Sequence, residues 1–354
     1  MELKDFLTDY AQTADQLLDQ FFEDKKAEAR KISPVAVQML DLYQEHLSGG
    51  KKTRGALMVL GYQLAGGKEQ EKILKASLFL EVMHSFLLIH DDVMDKALVR
   101  RGKQTPEVFY QQLFEKQKLK GDKKHFALSM AVDLGDLGVF LAQEALFDSG
   151  FSKEKIFACQ AQANLMYQQV AFGQALDIFA EKKKQLEESD IFKIHRLKTA
   201  DYSVAGPLRL GALLAGSHKK LLDNMAIFGL NLGIAFQIHD DFLGVFGKAR
   251  ALGKEVGSDI KEGKATLLIL QARKKANKKQ KQFLAKAYGR ADITRKEIDG
   301  IRKIFKQTGA DKYSLEKTDE LVKKAKAVID KITKEKEKRV LLSQLADYMV
   351  KREK

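Results

Sequence analysis

The chain has 354 residues, 45% apolar and 31% charged, so it can bury a sizeable core and still present a charged surface. A single cysteine, Cys159, excludes an intrachain disulfide framework and makes a reducing, cytoplasmic setting the expectation. The formal net charge of +14 points to anionic partners, while only three prolines, Pro34, Pro106 and Pro207, interrupt what can be helix.

Taken in chain order, Leu3, Phe6, Leu7, Tyr10, Leu17, Leu18 and Phe21 recur at helical spacing. The same start carries Glu2, Asp5, Asp9, Asp15 and Asp19, which is unlike a secretory signal. Similar stripes run over 35–46, 73–95, 126–147, 156–179, 190–214, 221–246 and 266–288. Period-two alternation is not sustained anywhere, so the pattern predicts about a dozen helices and no sheet. Breaks at 48–50, 66–67, 102–106, 118–123, 149–152, 216–218 and 247–263 bear glycine or polar residues, but none reads as an interdomain linker. One all-α domain over 1–354 is therefore expected. No charge-free apolar run reaches the ~18 residues of a membrane span, so no integral membrane segment is expected. Lysine-rich stretches at 273–281 and 323–339 are interspersed with acids and read as solvated helix surface rather than a nucleic-acid-binding arm.

Two distant segments carry the chemistry. The first ends an apolar helix with His90, Asp91, Asp92 and Asp95; the second ends another with His239, Asp240 and Asp241. Asp91 and Asp95, four apart, share one helical face. Carboxylates so close repel unless a cation lies between them, and hard oxygen donors suit Mg²⁺, which completes its shell with water and substrate phosphates. His90 and His239, as lone histidines, read as residues that pack the helix or brace the neighbouring aspartates from behind. A metal-dependent phosphohydrolase built on the His-Asp pairs would need further clustered histidines, and His46, His125, His195 and His218 form no ligand pattern.

With Arg100-Arg101-Gly102-Lys103 following the first aspartates, the chain resembles the trans-isoprenyl diphosphate synthases of short-chain type. The resemblance is carried in order by 49–54 (Gly-Gly-Lys-Lys-Thr-Arg), 91–95, Gly135-Asp136, Gly173-Gln174 with Asp177, Lys198-Thr199, Phe236-Gln237 with Asp240-Asp241, and Gly253-Lys254 through Asp259 to Lys264 and Thr266. It is strongest over 35–275, leaving basic helices over 276–354. The resemblance implies a large helical bundle around a deep central cavity, usually homodimeric, that joins isopentenyl diphosphate to dimethylallyl, geranyl or farnesyl diphosphate. It implies Mg²⁺, three ions per site, held by Asp91, Asp95 and Asp240, with Asp92, Asp177 and Asp241 as auxiliary acids. Arg100, Lys198 and Lys254 would meet the allylic diphosphate, and Lys264 and Gln237 would also bind substrate. Lys51, Arg54, His84 and Arg101 match the isopentenyl diphosphate pocket, which a terpene cyclase on the same fold would not need. Thr199 and Gln237 resemble the groups that stabilise the allylic cation. Product length would be set by Phe86, Leu87 and Met83, favouring geranylgeranyl over farnesyl diphosphate. One departure stands out: Gly244 occupies the place of the second motif's usual third aspartate, which keeps open the alternative of a non-catalytic or regulatory subunit.

Overall fold

In the computed structural model, which describes residues 2–183, 185–247 and 257–350, the helical stripes become helices almost throughout. The chain divides into two compact units, residues 1–158 with 211–216, and residues 159–210 with 217–354.

In the first unit, α1 (Leu3–Ala29), α2 (Pro34–Leu47) and α3 (Thr53–Leu64) pack on α4 (Gln70–Met94), which also lies along α6 (Lys123–Phe147). Ser33 starts α2 by accepting the Ala36 amide at 3.1 Å, with Pro34 pre-set in the first turn. Phe22 stacks on Tyr43 at 6.0 Å, and the Tyr43 hydroxyl donates to the Val82 carbonyl at 2.8 Å. These contacts fix α2 against α4, the helix that ends in the first aspartates. Between α4 and α5 (Pro106–Lys116) the chain forms a small antiparallel ladder, β1 (Val99–Arg100) with β2 (Lys103–Gln104). The expectation of no sheet is corrected by this hairpin. Its turn residues Arg101 and Gly102 both have positive φ, 53° and 77°, and the strands are too short to show alternation.

In the second unit, α7 (Lys153–Lys182, which begins in the first unit) leads to α8 (Glu188–Ile194). The helix then continues as a π-helix (His195–Ala205) before α9 (Gly206–Leu214). The long α10 (Lys219–Phe246) packs on the π-helix and on α15 (Ala310–Lys326). Around it lie α11 (Ser258–Glu262), α12 (Leu267–Lys275), α13 (Lys278–Ala287), α14 (Arg295–Gln307), α16 (Ile329–Ile332) and α17 (Lys336–Val350). The helices outnumber the expected dozen because polar caps cut this region short. Asn277 with Gln280, and Thr294 with Glu297, form reciprocal capping boxes.

Three helices, α4, α6 and α10, are long and apolar enough to cross a membrane by length and composition, which corrects the expectation that no segment is. A charge-free run was required of the sequence, whereas these stretches tolerate up to two charges. In α4, 61% of the apolar stretch is buried inside the protein.

Candidate active site

Burial of Phe79, Val82, Met83 and Ile89 fixes the rotation of α4. Its last turn then presents Asp91 and Asp95 on one half-exposed face and turns Asp92 inward, 2% exposed. The hairpin folds Arg100 back onto this turn. Arg100 Nε donates to Asp92 Oδ1 at 2.7 Å, and Nη2 donates to Asp91 Oδ2 at 3.1 Å and also to Asp92. Burial works against the Arg100 charge, but the hydrogen bonds and charge of Asp92, then of Asp91, outweigh it and raise its pKa.

Next to this lies a concentration of positive charge. Gly49 and Gly50 both have positive φ, and a Cβ on Gly50 would sit 3.0 Å from the Arg101 guanidinium, so the bare backbone gives Arg101 its place. Burial, and then the charge of Arg54, lower the Arg101 pKa. Burial likewise holds His84 well below the ordinary 6.5, helped by Arg54, Arg101 and Arg100, so it is neutral near pH 7. Besides Asp92, a buried counter-charge is Glu81, whose Oε1 accepts the Gly55 amide at 2.7 Å and whose pKa is raised by burial against Arg54 and Lys52. A cleft of about 410 Å³ opens here, lined by His46, Gly49, Gly50, Arg100, Arg101 and Lys103. Lys51 is exposed beside it. Lys52 is buried and pairs with Asp15 at 2.7 Å, so it anchors α1 rather than facing the cleft.

Phe86 is half-buried, with its ring edge-on to His90 at 4.8 Å. His90 fills the space that Gly135 leaves on α6, where a Cβ would lie 2.3 Å from Nε2, and it stands 3.6 Å from Asp136. The Gly135-Asp136 pair is thus a seat for His90. Met83 is buried and Leu87 half-buried on the same helix.

In the second unit, glycines let the π-helix be gripped from two sides. A Cβ on Gly173 of α7 would lie 2.4 Å from the Lys198 amide nitrogen, and Cβ atoms on Gly229 and Gly233 of α10 would meet Ala205 and Ala200 at 2.4 and 2.5 Å. The wide π turn carries Lys198 and Thr199. Lys198 Nζ donates to Asp177 Oδ2 at 2.7 Å. Thr199 Oγ1 donates to Gln237 Oε1 at 2.9 Å, and Gln237 Nε2 donates to Asp241 Oδ1 at 2.8 Å. Asp240 is half-exposed and Asp241 is 8% exposed. At Gly244 a Cβ would lie 2.1 Å from Asp259 Oδ2, so a carboxylate from α11 occupies the space beside the missing third aspartate. Lys264 sits 3.3 Å from Glu262 and 3.8 Å from Asp259. His239 stacks on Phe242. Lys254 lies outside the described residues.

Ser85 and Glu81 carry no signal along the chain, and His46 and His195 show no ligand pattern there; all four meet partners on other elements. Among the described residues no three His, Cys, Asp or Glu side chains converge as a complete metal cage. Pairs of hard carboxylates at half-exposed helix ends fit Mg²⁺, which takes its remaining ligands from water and phosphate.

The chain, with helices ended by paired aspartates and an arginine cleft beside the first pair, is a prenyltransferase, an enzyme of prenyl-chain elongation. The polyprenyl synthetase family model matches residues 37–306, and the chain belongs to that family. The match reaches into α14, past the end of the sequence resemblance near residue 275. The chain is 30% identical to a short chain isoprenyl diphosphate synthase of Methanothermobacter thermautotrophicus, covering 100% of this chain and 99% of that one. It is 32% identical to a geranylfarnesyl diphosphate synthase of Aeropyrum pernix, over 87% of this chain and 92% of the other. In structure it is similar to a geranylgeranyl pyrophosphate synthase of Corynebacterium glutamicum crystallised with isoprenyl diphosphate and magnesium. The TM-score is 0.91, at 30% identity and 97% and 98% coverage.

Proposed function

We propose that the whole chain acts as one isoprenyl diphosphate synthase domain. It condenses isopentenyl diphosphate with dimethylallyl, geranyl or farnesyl diphosphate and releases geranylgeranyl rather than farnesyl diphosphate. The observation that carries this reading is the first unit's pairing of a cation-lined cleft with half-exposed carboxylates. Arg100 belongs to both, lining the cleft and bonding Asp91 and Asp92.

Magnesium ions, three by the family resemblance, would when bound neutralise charge on the departing diphosphate and ease its ionisation. Asp91, Asp95 and Asp240 are the residues that would hold them, with Asp92, Asp177 and Asp241 in support. Arg100, Lys198, Lys254 and Lys264 bind the allylic diphosphate. Lys51, Arg54, Arg101 and His84 bind the diphosphate of the second substrate, which stays attached. Cations without a metal suit that task, and neutral His84 offers a hydrogen bond without adding charge. Thr199 and Gln237 turn oxygen dipoles toward the allylic carbon as its bond to oxygen breaks. The isopentenyl double bond then forms the new carbon–carbon bond, and a proton leaves to the released diphosphate. Phe86, supported by Met83 and Leu87, limits the tail. Two copies of the chain form the working enzyme, an idea supported by exposed aromatics on α6 and α7, Phe140 at 67% and Phe172 at 63% among them.

The test is product analysis. Purified chain is incubated with Mg²⁺, labelled isopentenyl diphosphate and each allylic primer in turn. A twenty-carbon product is expected, and a longer one from Phe86→Ala. An unchanged product from Phe86→Ala removes that residue from the length-setting role. No product from any primer favours the subunit reading that Gly244 left open.

A further inference from the structure

In each triplet the second aspartate turns inward and meets a buried histidine that is distant in sequence. Asp92 Oδ2 faces His46 Nε2 across 3.6 Å, just beyond hydrogen-bond reach, with side chains 2% and 5% exposed, and neither atom has a hydrogen-bond partner among the described residues. The other ring nitrogen of His46 is tied to Ser85 Oγ at 2.9 Å. Asp241 Oδ2 faces His195 Nε2 at 3.2 Å, with side chains 10% and 6% exposed, close but not aligned as a hydrogen bond, and that oxygen has no hydrogen-bond partner among the described residues. In both cases the remaining aspartate oxygen holds a group assigned above to substrate. Asp92 Oδ1 accepts from Arg100, and Asp241 Oδ1 accepts from Gln237, whose own oxygen accepts from Thr199.

We propose that His46 and His195 are positioning residues, each holding the second aspartate of its triplet so that Arg100 in one unit and Gln237 in the other are aimed. The physical reason is that a carboxylate with one oxygen unheld can rotate, and a group hydrogen-bonded to it rotates too. An imidazole N–H packed against the inner oxygen, 3.2–3.6 Å away, opposes that rotation by contact and by dipole–charge attraction, as outer partners do for metal ligands. Ser85 fixes the His46 ring by bonding Nδ1, which leaves Nε2–H for Asp92. In the second unit the same logic fixes a whole chain. His195 packs against Asp241, Asp241 orients the Gln237 amide with nitrogen inward, and the Gln237 oxygen then accepts the Thr199 O–H. The Thr199 lone pairs are thereby left for a developing cation. Both histidines act through their aspartates, and both roles rest on the reading of Arg100 and Gln237 given under Proposed function.

The test compares a donor-free with a donor-bearing replacement in the full chain. His46→Leu keeps most of the volume and loses the N–H, whereas His46→Gln returns an N–H near the place of Nε2. Binding of inorganic diphosphate with Mg²⁺ is measured by calorimetry, alongside steady-state kinetics. His46→Leu should weaken diphosphate binding and raise the allylic KM by about tenfold, and His46→Gln should stay within about twofold of the parent. In an Arg100→Ala background the His46→Leu effect should vanish, since the histidine acts through the arginine. His195→Leu should lower kcat by about tenfold at unchanged KM values, with recovery in His195→Gln. Equal behaviour of the Leu and Gln variants, or additive losses with Arg100→Ala, overturns the proposal. Should a Leu variant fail to fold, His→Asn, whose amide falls short of the aspartate, takes its place with the same expectation. Absence of any prenyl product from the parent chain would refute the function reading itself, while the calorimetric comparison would still decide the role of His46.

Discussion

His84 is surrounded by Arg54, Arg100 and Arg101, and its suppressed protonation links folding to pH. In the unfolded chain its imidazole titrates near 6.5, and in the folded chain well below. Between those two values the unfolded state holds a proton that the folded state does not. Stability contributed by neutral His84 is therefore full above 6.5 and is lost as pH falls below it, with a slope of up to about 1.4 kcal/mol per pH unit. Denaturant titrations from pH 5 to 7.5 should show a shallower dependence for His84→Gln than for the parent, and parallel curves would refute this account. A second prediction concerns Gly244. Restoring the family's usual aspartate places a Cβ 2.1 Å from Asp259 Oδ2 and sets two carboxylates against each other. Gly244→Asp should lower both activity and stability, the latter by about 2 kcal/mol, with Gly244→Ala showing the steric part alone. Thermal melts and turnover measure this, and a more active Gly244→Asp enzyme would show that the site lacked an acid.

At the scale of elements, the π-helix depends on backbone contact that no side chain can relieve. Gly173→Ala would put a methyl group 2.4 Å from the Lys198 amide nitrogen and 2.8 Å from the Leu197 carbonyl carbon. It should destabilise by about 1–3 kcal/mol and cut turnover, because the displaced segment bears Lys198 and Thr199. A melt and a kcat value check this, and a parent-like enzyme would mean that α7 moves aside freely. The example also marks what the sequence could reveal. The half-exposed helix-end positions of Asp91, Asp95 and Asp240 were legible because each is set by neighbours along its own helix, where spacing alone sets the face. The helices were legible because apolar residues recur every third or fourth place. His46, Ser85, Glu81 and His195 were not, because each gains its meaning from a partner on another helix or a distant turn. Lys52 looked like its neighbours in the basic loop, yet a left-handed backbone at φ 43° sends it inward to Asp15. The hairpin stayed hidden because two-residue strands leave no periodicity.

At the scale of the molecule, each unit leaves an apolar stripe in water that its own core does not use. On α6 it comprises Leu128, Val132, Phe140 and Phe147, and on α7 Leu165, Phe172, Leu176 and Phe179, each spaced to share one helical face. Aromatics exposed to 67% on α6 and 76% on α7 are more than scattered surface hydrophobes, and covering them with a second copy removes apolar area at about 25 cal/mol per Å². A C2 pairing places the same stripe on both partners, so one substitution is felt twice. Sedimentation equilibrium should therefore give a mass about twice the 39.9 kDa of the chain. Phe140→Glu and Phe172→Glu should each shift the equilibrium toward monomer at micromolar concentration while leaving the helical circular dichroism intact, since neither ring is buried in its own unit. A parent that sediments at the single-chain mass at all concentrations would sink the pairing. A dimer untouched by both substitutions would move the interface elsewhere and leave the stripes to another partner.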